Sequence, residues 1–122
     1  MDFDSICKKT MELDSAIRFA GVINEKGRLV AGGMRKGLAP LESPKEDEML
    51  FMELALRVRM RKEHDKQLGP VKFAMSYREK TILISFPLDN NNILYVSGEP
   101  ELDYKEIPSK ILEIIRKNKS QK

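Results

Sequence analysis

Between Met49 and Met60, nine of twelve positions are apolar, inside a segment that otherwise reads as a charged surface helix. Placed at about 100° per residue, Phe51, Leu54, Ala55 and Val58 share one side of that helix. Met49, Met52, Leu56 and Met60 share nearly the opposite side. A helix apolar on two opposed sides must be covered twice. One cover is the core of the chain itself, and the other is expected to be a partner. The pattern leaves open which side faces inward.

Asp2 or Asp4 caps a first helix reaching about Asp14, with Phe3, Ile6, Cys7, Thr10 and Leu13 on one face. Arg18–Ile23 and Arg28–Met34 flank Asn24-Glu25-Lys26-Gly27 and read as a β-hairpin, Gly27 supplying a positive φ. Both faces of these strands carry apolar residues (Phe19 and Ile23 against Ala20 and Val22), so helices should cover both sides of the sheet. Ser43-Pro44-Lys45-Glu46 starts the long helix with a capping box and a proline at the first helical position. That helix should reach about Lys66, with Gly69-Pro70 ending it. Val71, Phe73, Met75 and Tyr77 alternate with Lys72, Ala74, Ser76 and Arg78, the pattern of an edge strand with one wet face. Thr81–Phe86 and Ile93–Ser97 are apolar on both faces and read as central strands. Ile107, Ile111, Ile114 and Ile115 stripe a last helix from about Tyr104 to Asn118. Residues 1–118 therefore form one domain, and 119–122 a frayed basic tail.

Composition narrows the function classes. With 34% charged and 41% hydrophobic residues, the 122-residue chain has room for one core and is not of disordered type. It contains no apolar run long enough to span a bilayer, and the acidic start Met1-Asp2-Phe3-Asp4 is no signal peptide, so no membrane partner is expected. Cys7 is the sole cysteine, which rules out an internal disulfide and suits a reducing, cytoplasmic setting. The Lys/Glu/Ile-rich composition points to a prokaryotic source. The formal charge is +3, with basic residues gathered at Arg57, Arg59, Arg61, Lys62 and Lys66 and again at the C-terminus. A solvated helix flank and tail account for both, and nucleic-acid binding is not expected.

The residues that could carry chemistry do not converge. His64 stands between Glu63 and Asp65, and neighbours on a helix point apart, so no metal site follows. Gly32-Gly33-Met34-Arg35-Lys36-Gly37 lacks the spacing of a phosphate loop and does not lead into a helix. Glu99, Glu101 and Asp103 have no His or Lys partner nearby in sequence and read as a solvated loop. Cys7 faces the core with no activating base beside it. No catalytic residue and no cofactor is assigned, and the chain reads as a non-enzyme. Glu53 supports Arg57 four residues on, whereas Arg57 and Arg61 repel; that arginine row is a candidate contact for an acidic partner.

The α-β-β-α-β-β-β-α order resembles the roadblock family (the dynein light-chain roadblock and bacterial polarity-regulator group). Ala20-Gly21-Val22-Ile23-Asn24-Glu25-Lys26-Gly27-Arg28-Leu29-Val30-Ala31 is similar to that family's first hairpin, with Asn24 where many members carry Asp. Ile82–Leu88 and Ile93–Val96 are similar to its last two strands. The resemblance implies an α+β, profilin-like fold: a five-stranded antiparallel sheet of order 2-1-5-4-3, one long helix on one face and two terminal helices on the other. It also implies dimerisation through the long helix and the third strand. Met49, Met52, Leu56, Met60, Val71, Phe73 and Met75 are accordingly the candidate dimer residues. The leading reading is a homodimeric protein-interaction module whose further partner, by the same resemblance, is a small Ras-like GTPase or a scaffold. The alternative is a small-molecule sensor domain of PAS or GAF type, which needs a cavity between sheet and helix; Gly32, Gly33, Ser85, Ser97 and Gly98 could leave that space.

Overall fold

The computed structural model describes residues 1–120. In chain order the elements are α1 (Phe3–Met11), β1 (Ile17–Asn24), β2 (Leu29–Met34), α2 (Pro44–Arg61), a 3-10 turn (Lys62–His64), α3 (Asp65–Leu68), β3 (Ala74–Tyr77), β4 (Ile82–Pro87), β5 (Asn92–Gly98) and α4 (Ile107–Ser120). The strands form one antiparallel sheet in the order β2-β1-β5-β4-β3.

Adjacent strand residues point to opposite faces, and this divides the core in two. On one face Val22, Ile84, Leu94 and Val96 pack with Ile6 of α1 and Ile107, Ile111 and Ile115 of α4. On the other, Ile23, Ile93 and Tyr95 pack with Phe51, Ala55 and Val58 of α2. The long helix thus covers one face and the terminal helices the other.

Local chemistry sets the element ends. Asp2 caps α1, its carboxylate accepting from the Ser5 amide at 3.1 Å. That helix stops at Met11, short of the expected Asp14, because Arg35 takes up the carbonyls beyond it. Its guanidinium donates to Met11 O at 2.7 Å, Asp14 O at 3.0 Å and Ile17 O at 2.8 Å. At the β1–β2 turn the Asn24 side chain accepts from the Lys26 and Arg28 amides at 2.9 and 3.1 Å, and Gly27 takes φ +76°. The capping box of α2 is formed in both directions: Glu46 N donates to Ser43 Oγ at 3.2 Å and Ser43 N to Glu46 Oε1 at 2.9 Å. These bonds hold the Glu46 carboxyl below its ordinary pKa.

Further sequence expectations need correction here. The long helix, expected to reach about Lys66, ends at Arg61, where the backbone tightens into the 3-10 turn Lys62–His64 before α3. The third strand begins at Ala74, opposite Ser85, so Val71 and Phe73 precede it. Continued pairing would set Lys72 against Pro87, which has no amide hydrogen to offer the ladder. At the other end of the chain, Lys119 and Ser120 form the end of α4 rather than a tail. Gln121 and Lys122 lie outside the described residues.

Candidate interaction surface

The side of α2 that faces the sheet is the Phe51, Ala55 and Val58 side, all three buried, with Leu50 and Leu54 packed beside them. Phe19, Phe51 and Tyr95 form a mutual aromatic cluster with ring centroids 5.2–5.8 Å apart. An aromatic payload of this size outcompetes flexible methionines for the sheet. Met49, Met52, Leu56 and Met60 are left outward, between 52% and 63% exposed. The β1–β2 turn borders this stripe: a Cβ on Gly27 would sit 2.8 Å from the Met52 backbone, and Arg59 reaches Glu25 O at 3.4 Å.

The third-strand candidates lie elsewhere. Met75 packs on the α1/α4 core, and the Phe73 ring lies 5.8 Å from that of Phe86, a member of the same core. Their side chains therefore point to the sheet face opposite α2, as does Tyr77, whose ring meets Tyr104 at 5.3 Å. Val71, half-buried, sits in the connection before the strand. What β3 offers on its outer side is an unpaired backbone edge, since its one sheet neighbour is β4. The two arginine candidates separate as well. Arg57 pairs with Glu53 at 3.6 Å, both well exposed, a contact worth a few tenths of a kcal/mol at about 0.3–0.5. Arg61, one turn further along, lines a groove at the C-terminal end of α2.

A groove of about 470 Å3 opens beside the aromatic cluster, between Phe19 and Tyr95 on the sheet, Phe51 on α2 and the Pro40–Glu42 loop. Burial, with Asp47 and Glu46 nearby, pushes the Glu42 carboxyl above its usual range; burial also raises Asp47 and, strongly, the Tyr95 hydroxyl. Beside it lies an ion pair that sequence reading missed. Arg18 donates to Glu99 Oε1 at 2.6 Å and to Ala39 O at 2.8 Å, tying the loop to the sheet. A β-bulge, with Ile17 pairing Gly98 and Phe19 pairing Ser97, leaves Arg18 without a β5 partner, a feature with no local sequence signal. Among the described residues no group of three or more His, Cys, Asp or Glu side chains could hold a metal ion. No helix among them is long and apolar enough to cross a membrane.

Cys7 is 5% exposed, and burial, then Asp4, push its thiol from 9.0 to about 11. Folding thus favours the protonated form. This contribution to stability is intact below pH 9.0 and is lost as pH rises towards about 11. Native protein should resist iodoacetamide at neutral pH and react fully once unfolded in urea; rapid native alkylation would contradict the burial.

The fold is shared with proteins of low sequence identity. A Roadblock/LC7 domain from Streptomyces avermitilis superposes with a TM-score of 0.71 at 12% identity, over 98% of this chain and 96% of that one. MglB from Myxococcus xanthus gives 0.68 at 13%, over 95% and 93%. Profilin from Schizosaccharomyces pombe gives 0.61 at 15%, over 96% and 95%. No curated protein matches by sequence. These likenesses establish a roadblock-like, profilin-like fold. By its sequence, matched over residues 1–121, the chain belongs to the family of unknown function DUF6659.

Proposed function

We propose that this chain is a non-enzymatic protein-interaction module that works as a homodimer, with the outward stripe of α2 at the twofold. The observation that carries this is the row Met49, Met52, Leu56 and Met60, four large apolar side chains each more than half exposed along one helix. A contiguous apolar row of this kind marks a contact surface rather than scattered surface hydrophobes. A twofold axis beside α2 would bring two such rows together.

Magnitudes say the stripe needs help. Completing the burial of each side chain contributes about 1 kcal/mol. Association itself costs roughly 4–15 kcal/mol in lost freedom. A micromolar dimer, at about −8 kcal/mol, therefore needs a second contact. The open backbone edge of β3 supports one, by pairing with its symmetry mate. The wider partner in this reading is a small Ras-like GTPase or a scaffold, a class suggested by fold resemblance and by nothing in the side chains.

Light scattering of the wild type should give the mass of two chains at about 100 μM, falling towards one chain as it is diluted to about 1 μM. A mass of one chain at the highest concentration overturns the reading. The sensor alternative draws on the groove beside Tyr95. It predicts thermal stabilisation by a small metabolite, with a monomer in scattering.

A further inference from the structure

A second groove, of about 580 Å3, lies where the C-terminal end of α2, the Pro70–Lys72 connection, the end of β4 and the last turns of α4 meet. It exists because β3 starts late. Pro87 and Leu88 have no β3 partner and are left to line the space. Its floor is apolar: half-buried Val71, Pro87 and Leu112 line it, over the buried Val58 of one core and Leu88 and Ile115 of the other.

Its rim is basic. Arg61, Lys62, Lys72, Arg116 and Lys119 line it, against the carboxylates of Asp65 and Asp89. The formal charge of this lining is +3, as large as that of the whole chain, so the rest of the molecule is balanced around it. Asp89 is occupied by the turn it closes, accepting from the Asn91 and Asn92 amides at 2.8 Å. Arg116 is held by Glu113 at 2.5 Å, and Lys62 donates to Asn90 O at 2.9 Å. Among the described residues no carboxylate forms a salt bridge with Arg61, Lys62, Lys72 or Lys119.

We propose that this groove docks an extended acidic segment of a partner protein, with an apolar side chain seated against Val71, Pro87 and Leu112, above the buried Val58, Leu88 and Ile115, and carboxylates against the rim. Charge complementarity supplies the sign, and the floor supplies the anchor. The lining contains no aromatic ring on which a base could stack, which favours a peptide over a single-stranded nucleic acid. The site is independent of the dimer reading, because none of its residues belongs to the outward stripe of α2.

The test is fluorescence anisotropy with the full chain and a labelled dodecapeptide in which glutamates flank a central Leu-Phe pair. Saturable binding is expected, with methyl NMR shifts at Val71 and Leu112, and at Val58, Leu88 and Ile115 beneath them. Replacing the Leu-Phe pair by Gly-Gly, or reversing charge with Arg61→Glu and Lys119→Glu together, should each weaken it about tenfold or more. Lys119 is exposed and Arg61 half-buried at the rim, and circular dichroism and scattering mass of that variant should match the wild type. The proposal is overturned by no saturable binding, by equal binding of the Gly-Gly peptide, by methyl shifts outside the groove, or by an oligothymidylate of the same length binding as tightly as the acidic peptide.

Discussion

Carrying both Met52→Glu and Leu56→Glu, the protein is expected to remain folded and to lose its dimer, its scattering mass halving at concentrations where the wild type is paired. The two residues stand four apart on the outward side of α2, 61% and 52% exposed. Glutamate there costs the fold little, because both positions already face water and glutamate is a good helix former. Across a twofold it places four carboxylates in an apolar seam. Leaving even one charge unpaired in such a seam costs about 2–5 kcal/mol, which weakens a micromolar dimer about thirtyfold or more, and the four together exceed its binding energy. The matched control is Ala55→Glu, one residue before Leu56 on the same helix. Ala55 is buried against the sheet with Phe51 and Val58, so this change should unfold the domain rather than dissociate it. An unaltered mass for the double variant would remove α2 from the interface, and unfolding of both proteins alike would show that the two sides of the helix are not distinct.

That contrast marks where sequence pattern stops being informative. The existence of two opposed apolar sides was legible, and so were the helix start at Ser43, the hairpin at Asn24–Gly27 and the order of elements, because each depends on residues within a few positions of one another. The choice between the sides was not. Methionine, leucine, phenylalanine and valine are all apolar, and their contributions around the axis cancel. What decides is the company across the fold: Phe19 and Tyr95 come from strands far away in sequence and make a socket for Phe51. The late start of β3 is similar. Val71–Tyr77 alternates without fault, and the obstacle is Pro87 on the neighbouring strand. The basic groove was wholly illegible, since its lining is assembled from four separate segments. Arg61 and Lys62 are legible only as part of a basic helix row with Arg57, and the basic C-terminus only as a separate cluster; nothing local says that the two meet.

The costliest single methyl group to add is predicted at Gly32. A Cβ there would stand 2.2 Å from Ala20 O, 2.8 Å from Cys7 Sγ and 2.9 Å from Gly21 Cα. Two of those atoms are backbone of β1, which is tied on both sides by β2 and β5 and cannot shift alone. The residue also takes φ +74°, a conformation L side chains avoid at a cost of about 1–2 kcal/mol. Gly32→Ala therefore combines backbone strain with a clash that prises β2 from β1 and α1 from the sheet. A loss of about 3 kcal/mol or more is expected, in the range of disruptive core substitutions. Gly37→Ala separates the two components. Gly37 has a similar φ of +86°, but a Cβ on it meets nothing within 4 Å, so it should lose about 1 kcal/mol through conformation alone. Urea unfolding of the two variants reads the difference directly. If Gly32→Ala unfolds at the same urea concentration as Gly37→Ala, the close approach of β2 to β1 and Cys7 is not what holds this edge of the sheet.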